Sequence, residues 1–174
     1  FAESGVPLAV WNRNPARAYA LEGRARVTRS AAEACAEADL IVLVLSNYSA
    51  GLEVMDDVTG DVDLAGRTLL QLTSGSPTDA RTLQAWAHMH GVTYLDGALV
   101  AYPQTLGSAQ AIALVAGEEA EFERRRALLG TLGGVTVHVG EAIGAAVRHS
   151  VDHLTRLSKV SASLSHPSHP AIAC

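Results

Sequence analysis

The chain has 174 residues, 48% of them hydrophobic and 18% charged, which suits one packed domain and excludes a disordered chain. Lys and Arg total 13 against 18 Asp and Glu, a net charge of −5, which argues against nucleic acid as the main partner. No apolar run approaches the roughly 20 residues of a membrane span, the longest being residues 40–45, so no membrane partner is expected.

Apolar runs alternate with helical patterns. Residues 6–11 read as a short buried strand that ends at Asn12 and Arg13. Asn14 and Pro15 open a helix to about Leu21: Asn suits the cap, and Pro lacks only an N–H that would be orphaned at the first position anyway. Residues 25–28 read as a weak strand. Ser30 starts a helix over residues 31–38, with Glu33 completing a capping box. Residues 40–45 form an aliphatic run without alternation, the pattern of a parallel strand covered on both faces. Residues 49–58 read as a helix and 68–72 as a strand. Ser76 and Pro77 start a helix to about His90, which Gly91 ends. Residues 93–95 lead into a strand, followed by a loop over 102–108. Strands at 111–116 and 135–139 flank a helix over 118–132. Residues 142–164 read as one long helix and 165–174 as a loose tail.

Strands spaced by helices imply repeated βαβ units and a doubly wound, mostly parallel α/β sheet. Ligands sit at the carboxyl ends of strands in such sheets. Arg13 stands at such an end with no acid beside it, and Arg pairs with a ribose 2′-phosphate where Asp or Glu would accept from a free 2′-OH. The plain alternative for Arg13 is a solvated side chain. Thr73, Ser74 and Gly75 put small groups where a strand meets a helix, which allows a ring or small substrate to approach closely. The plain alternative is a strand–helix turn capped by Ser76. His149 and His153 are four residues apart on the last helix, but no third ligand is evident, so no metal is expected. The phosphate-binding G-x-G-x-x-G turn is absent, as is the hydrolase motif G-x-S-x-G. Residue 1 is Phe, and no basic-then-apolar leader follows it. The chain therefore reads as a fragment. Cys35 and Cys174 are too few for a disulfide framework and suit a reducing cytoplasm.

Three stretches carry a resemblance: Val10-Trp11-Asn12-Arg13-Asn14-Pro15, Leu72-Thr73-Ser74-Gly75-Ser76-Pro77-Thr78-Asp79-Ala80-Arg81, and Tyr94-Leu95-Asp96-Gly97-Ala98-Leu99-Val100-Ala101-Tyr102-Pro103. Together they resemble the NADPH-binding domain of imine reductases, within the β-hydroxyacid dehydrogenase and 6-phosphogluconate dehydrogenase superfamily. The resemblance spans residues 1 to about 158. It implies a Rossmann-type domain over residues 1–141, lacking its first strand and glycine turn, followed by an interdomain helix over 142–164. It implies that Asn12, Arg13 and Asn14 hold the 2′-phosphate of NADPH. Leu45, Ser46 and Asn47, with Tyr48, would line the adenosine and ribose side. Thr73 and Ser74 would approach the nicotinamide and the reacting carbon.

The implied reaction is hydride transfer from NADPH to the carbon of a C=N bond in a small substrate such as a cyclic imine. A homodimer is implied for the full-length parent, and this fragment alone is expected to be inactive. Two positions depart from the family pattern. Where the hydroxyacid enzymes carry a catalytic Lys and an Asn four residues on, this chain has Arg148 and Asp152. Arg holds its proton at neutral pH and makes a poor acid. The imine-reductase proton-donor position falls near Ser158. Arg148 and Asp152 are left as catalytic candidates, and the catalytic group stays open. A hydroxyacid-type reductase and a non-catalytic nucleotide-binding or interaction module are the alternatives.

Overall fold

The chain alternates strand and helix along its first half: β1 (Ala9–Val10), α1 (Pro15–Tyr19), β2 (Arg26–Val27), α2 (Ala31–Cys35), β3 (Leu40–Leu43), α3 (Tyr48–Thr59), β4 (Thr68–Gln71) and α4 (Pro77–Met89). It then continues through β5 (Thr93–Val100), β6 (Ile112–Gly117), α5 (Glu119–Leu129) and β7 (Val135–His138). The structure, a computed structural model, describes residues 5–100, 108–146 and 148. Local chemistry sets the helix starts. Asn14, Ser30, Asn47 and Ser76 each accept a first-turn backbone N–H at the head of α1 to α4. The capping box expected at Ser30 forms only in part. Ser30 Oγ accepts from Glu33 N–H, but the Glu33 carboxylate takes the N–H of Arg29. The Arg26 guanidinium, 3.3 Å away, draws that carboxylate outward.

The strands form two sheets. β1 and β2 pair in parallel as a small sheet, and the second runs β3-β4-β5-β6-β7. All pairings are parallel except β5 with β6. This is the mostly parallel α/β architecture the sequence implies. Leu69, Leu83, Met55 and Trp86 fill the core on one side of the large sheet. Leu70, Leu95, Phe122 and Leu129 fill the other. The strand expected over residues 40–45 forms and meets both cores, Ile41 and Leu43 on one side and Leu40 and Val42, half-buried, on the other, but it is shorter than expected. The strand stops at Leu43, its burial alternates, and Val44 is 65% exposed. β3 is an edge strand: among the described residues it pairs with β4 alone. β1 likewise has one strand neighbour.

Several contacts among the described residues hold the small sheet to the large one. Trp11, just past β1, packs against the main core. α2 packs on α3. Arg67, ahead of β4, donates to the carbonyls of Cys35 and Ala36 and so closes the end of α2. On the opposite face, Glu121 pins α5 to the sheet. Burial pushes its carboxyl up, but hydrogen bonds from Thr68, Arg125 and Arg124 outweigh this and hold it below the usual carboxylate range. Of the helix expected over 142–164, Ala145, Ala146 and Arg148 are helical. Residues 149–174, including Asp152 and the tail, lie outside the described residues.

Two outcomes follow from these anchors. Arg67→Ala is expected to cost about 1–3 kcal/mol and to speed amide exchange in α2 more than in β4, measured by hydrogen exchange. Glu121→Gln is expected to cost about 1–3 kcal/mol at pH 7 in urea unfolding. A depressed carboxylate stabilises above its unfolded value of about 4.3 and loses that as pH falls through its folded value. The gap between wild type and Glu121→Gln therefore closes on acidification.

Candidate functional site

The parallel register fixes which loops share an edge. Leu43 on β3 pairs with Gln71 on β4, so the chain leaves both strands at one level. The two loops that follow are cross-linked. Leu45 N–H donates to Thr73 Oγ1 at 2.9 Å, and Thr73 N–H donates to Gln71 Oε1 at 2.8 Å. Thr73 and Gln71 are buried, whereas Ser46, Asn47 and Ser74 are exposed. Asn47 spends its side-chain oxygen on Ala50 N–H to cap α3. Ser76 forms a complete capping box with Asp79, whose carboxyl the Ser76 hydroxyl and N–H hold below the usual range. The turn at 73–76 is thus both a well-built strand–helix junction and an exposed shelf.

At the end of β1, Asn12 Oδ1 accepts from Asn14 N–H at 2.9 Å, and Asn14 Oδ1 accepts from Ala16 N–H at 3.1 Å. Both oxygens brace the turn, which leaves the amide NH2 groups as donors. Arg13 sits between them with its side chain 72% exposed. It lies 3.5 Å from Glu53 on α3, itself 64% exposed. An exposed pair of this kind is weak, about 0–1 kcal/mol, so another anion can displace Glu53. α1 is only five residues long, so the positive charge here is mainly that of Arg13.

Sequence reasoning missed a buried group behind the shelf. Tyr48, placed with the adenosine-lining residues by resemblance, instead turns inward and is 4% exposed. Its hydroxyl donates to Asp96 Oδ1 at 2.8 Å, and Gly144 N–H donates to Asp96 Oδ2 at 3.1 Å. Burial pushes the Asp96 carboxyl up, against the pull of these hydrogen bonds. The Tyr48 phenol is also pushed up, by burial and by the Asp96 charge, so it keeps its proton. The only advance signal was an acid inside the apolar stretch 93–100; its partners lie 48 residues away in either direction.

Arg148 is exposed, one helical turn after Gly144. Asp152, His149 and His153 lie outside the described residues. Among the described residues no group of three or more His, Cys, Asp or Glu could hold a metal. None of their helices is long and apolar enough to cross a membrane.

A family model of the NAD binding domain of 6-phosphogluconate dehydrogenase matches residues 1–140. The chain belongs to this family. Within the family it is 32% identical over 155 residues to an NADPH-dependent reductive aminase of Aspergillus oryzae, covering 87% of this chain and 51% of the relative. It is 33% identical over 119 residues to a probable 3-hydroxyisobutyrate dehydrogenase of Mycobacterium bovis, covering 67% of this chain and 39% of that one. The solved imine reductase of Myxococcus stipitatus in complex with NADP+ has 38% identity and a TM-score of 0.85. That match covers 94% of this chain and 57% of the other. The chain thus spans about half the length of the relatives it matches.

The Thr73 cross-link has a direct test. Thr73→Val keeps the volume but strands Leu45 N–H, and is expected to cost about 1–2 kcal/mol in urea unfolding. Thr73→Ser keeps the acceptor and is expected to cost less.

Proposed function

We propose that this domain binds NADPH and belongs to an oxidoreductase that delivers hydride to the carbon of a C=N bond in a small-molecule substrate. The observation that carries the cofactor is Arg13: an exposed guanidinium at the carboxyl end of β1, with no acid at that strand end and only an exposed carboxylate as partner. A guanidinium suits a phosphate dianion as a bidentate donor, whereas a ribose with a free 2′-OH calls for an acid. Although the chain is acidic overall, its first 30 residues hold Arg13, Arg17, Arg24, Arg26 and Arg29. That local excess of positive charge favours an anion.

The residues present fit two ends of a dinucleotide. Asn12, Arg13 and Asn14 would hold the 2′-phosphate; Leu45, Ser46 and Asn47 would line the adenosine and ribose side. The shelf at Thr73 and Ser74 would take the nicotinamide end. A glycine-rich pyrophosphate turn is not among these 174 residues. When bound, NADPH supplies the hydride. The chain's part is orientation. Thr73 Oγ1 accepts from Leu45 N–H and keeps its own hydrogen as a donor, and the exposed Ser74 follows it in the chain.

The relationship to a hydroxyisobutyrate dehydrogenase favours a second reading, reduction of a keto acid. Arg148 weighs against it. By resemblance it stands where that chemistry uses Lys, and Arg keeps its proton above pH 12. Arg148 and Asp152 would then orient the substrate, and the homodimer implied by resemblance belongs to the same proposal.

Calorimetric titration with NADPH and NADH tests the reading. NADPH is expected to bind more tightly, and Arg13→Ala is expected to weaken NADPH alone by about 10- to 100-fold. Equal loss for both cofactors would contradict the assignment. Glu53→Gln releases Arg13 and is expected to tighten NADPH by up to about fivefold, leaving NADH unchanged.

A further inference from the structure

We propose that Asp96 is a positioning residue that locks the nicotinamide-side shelf, residues 73–77, to the helix that starts after Gly144, so that the two move as one unit. This rests on the reading of that shelf given above. The contacts form a closed circuit. Asp96 is fully buried and accepts from Tyr48 Oη with one oxygen and from Gly144 N–H with the other. Tyr48 in turn lies under the shelf: a Cβ added at Gly75 would come within 2.3 Å of the Tyr48 ring. Gly144 lies against the same shelf further along. Its φ is +85°, and a Cβ there would sit 2.8 Å from Pro77 Cβ. Both glycines are needed for these approaches, and at Gly144 the backbone conformation also disfavours any other residue. From Gly144 the next turn follows directly, because Arg148 N–H donates to the Gly144 carbonyl.

A carboxylate is a costly way to make two structural hydrogen bonds. Burying the charge costs several kcal/mol, and both donors are neutral. What the carboxylate supplies is two strong acceptor oxygens on one rigid group, so that it holds two separate elements at once. Tyr94 Oη lies buried beside Asp96 and Tyr48 in the same cluster. One buried carboxylate therefore ties Tyr48, under the shelf, to Gly144, so a shift of either element disturbs the bond to the other.

The test uses the full chain with Tyr48→Phe, which removes one arm and keeps the ring, and Asp96→Asn, which keeps the shape but halves the acceptors. The first readout is amide hydrogen exchange. Both variants are expected to speed exchange at 73–76 and at Gly144 together, by about tenfold, while α5 and β6 stay unchanged. Faster exchange in only one segment, in neither, or uniformly across the domain would overturn the coupling. The second readout is affinity for NADPH against 2′-phospho-ADP-ribose, which lacks the nicotinamide. The variants are expected to weaken NADPH by about fivefold or more and to spare the fragment. Equal loss on both would make Asp96 merely structural. If the wild-type chain binds neither molecule, the cofactor reading fails, and the exchange experiment still decides the coupling. Should Asp96→Asn not fold, Tyr48→Phe decides alone.

Discussion

Leu43, Gln71 and Asp96 stand abreast on three parallel strands, and the site depends on that register. It puts the loops after β3 and β4 at one level, where Leu45 N–H reaches Thr73 Oγ1 and Thr73 N–H reaches Gln71. It also brings Asp96 under the shelf, within reach of Tyr48 at the head of α3. A slip of one residue would turn every side chain on a strand to the opposite face and break all these bonds together. Burial on both faces resists such a slip: all four residues of β4 are buried, and Leu69 and Leu70 fill opposite cores.

Much of this was legible in the sequence where the physics is local. Asn14-Pro15 and Ser76-Pro77 mark helix starts because the cap and the first-turn Pro act within a few residues. Arg13 could be singled out because a strand end without an acid is a local fact. What the sequence hid was tertiary. Residues 40–45 read correctly as a strand covered on both faces, but nothing local reveals that it stops at Leu43 or that β3 pairs with β4 alone among the described residues. The βαβ rhythm also conceals the antiparallel turn to β6. A crossover to a parallel strand needs about a dozen residues, usually a helix, and the 11 residues between Val100 and Ile112 show no helical pattern. Asp96 and Tyr48 were visible as residues but not as partners, because 48 positions separate them and only the sheet register joins them.

Two electrostatic regimes meet in this domain. At the end of β1, Arg13 and Glu53 are exposed, loosely paired and screened by water, so an incoming anion can exchange for Glu53 at little cost. Behind the shelf, Asp96 is sealed from water, and its hydrogen bonds cannot be exchanged without leaving a buried group unsatisfied. The first regime suits recognition of a ligand that must come and go. The second suits holding a fixed geometry between a shelf and the helix beyond it.

Backbone amide chemical shifts followed through an NADPH titration test the central claim most directly, because they report both ends of the site at once. The account predicts saturable shifts at residues 12–14 and at 73–76, with the former absent when NADH replaces NADPH. Shifts confined to other surfaces, or the same shifts at 12–14 with both cofactors, would contradict it.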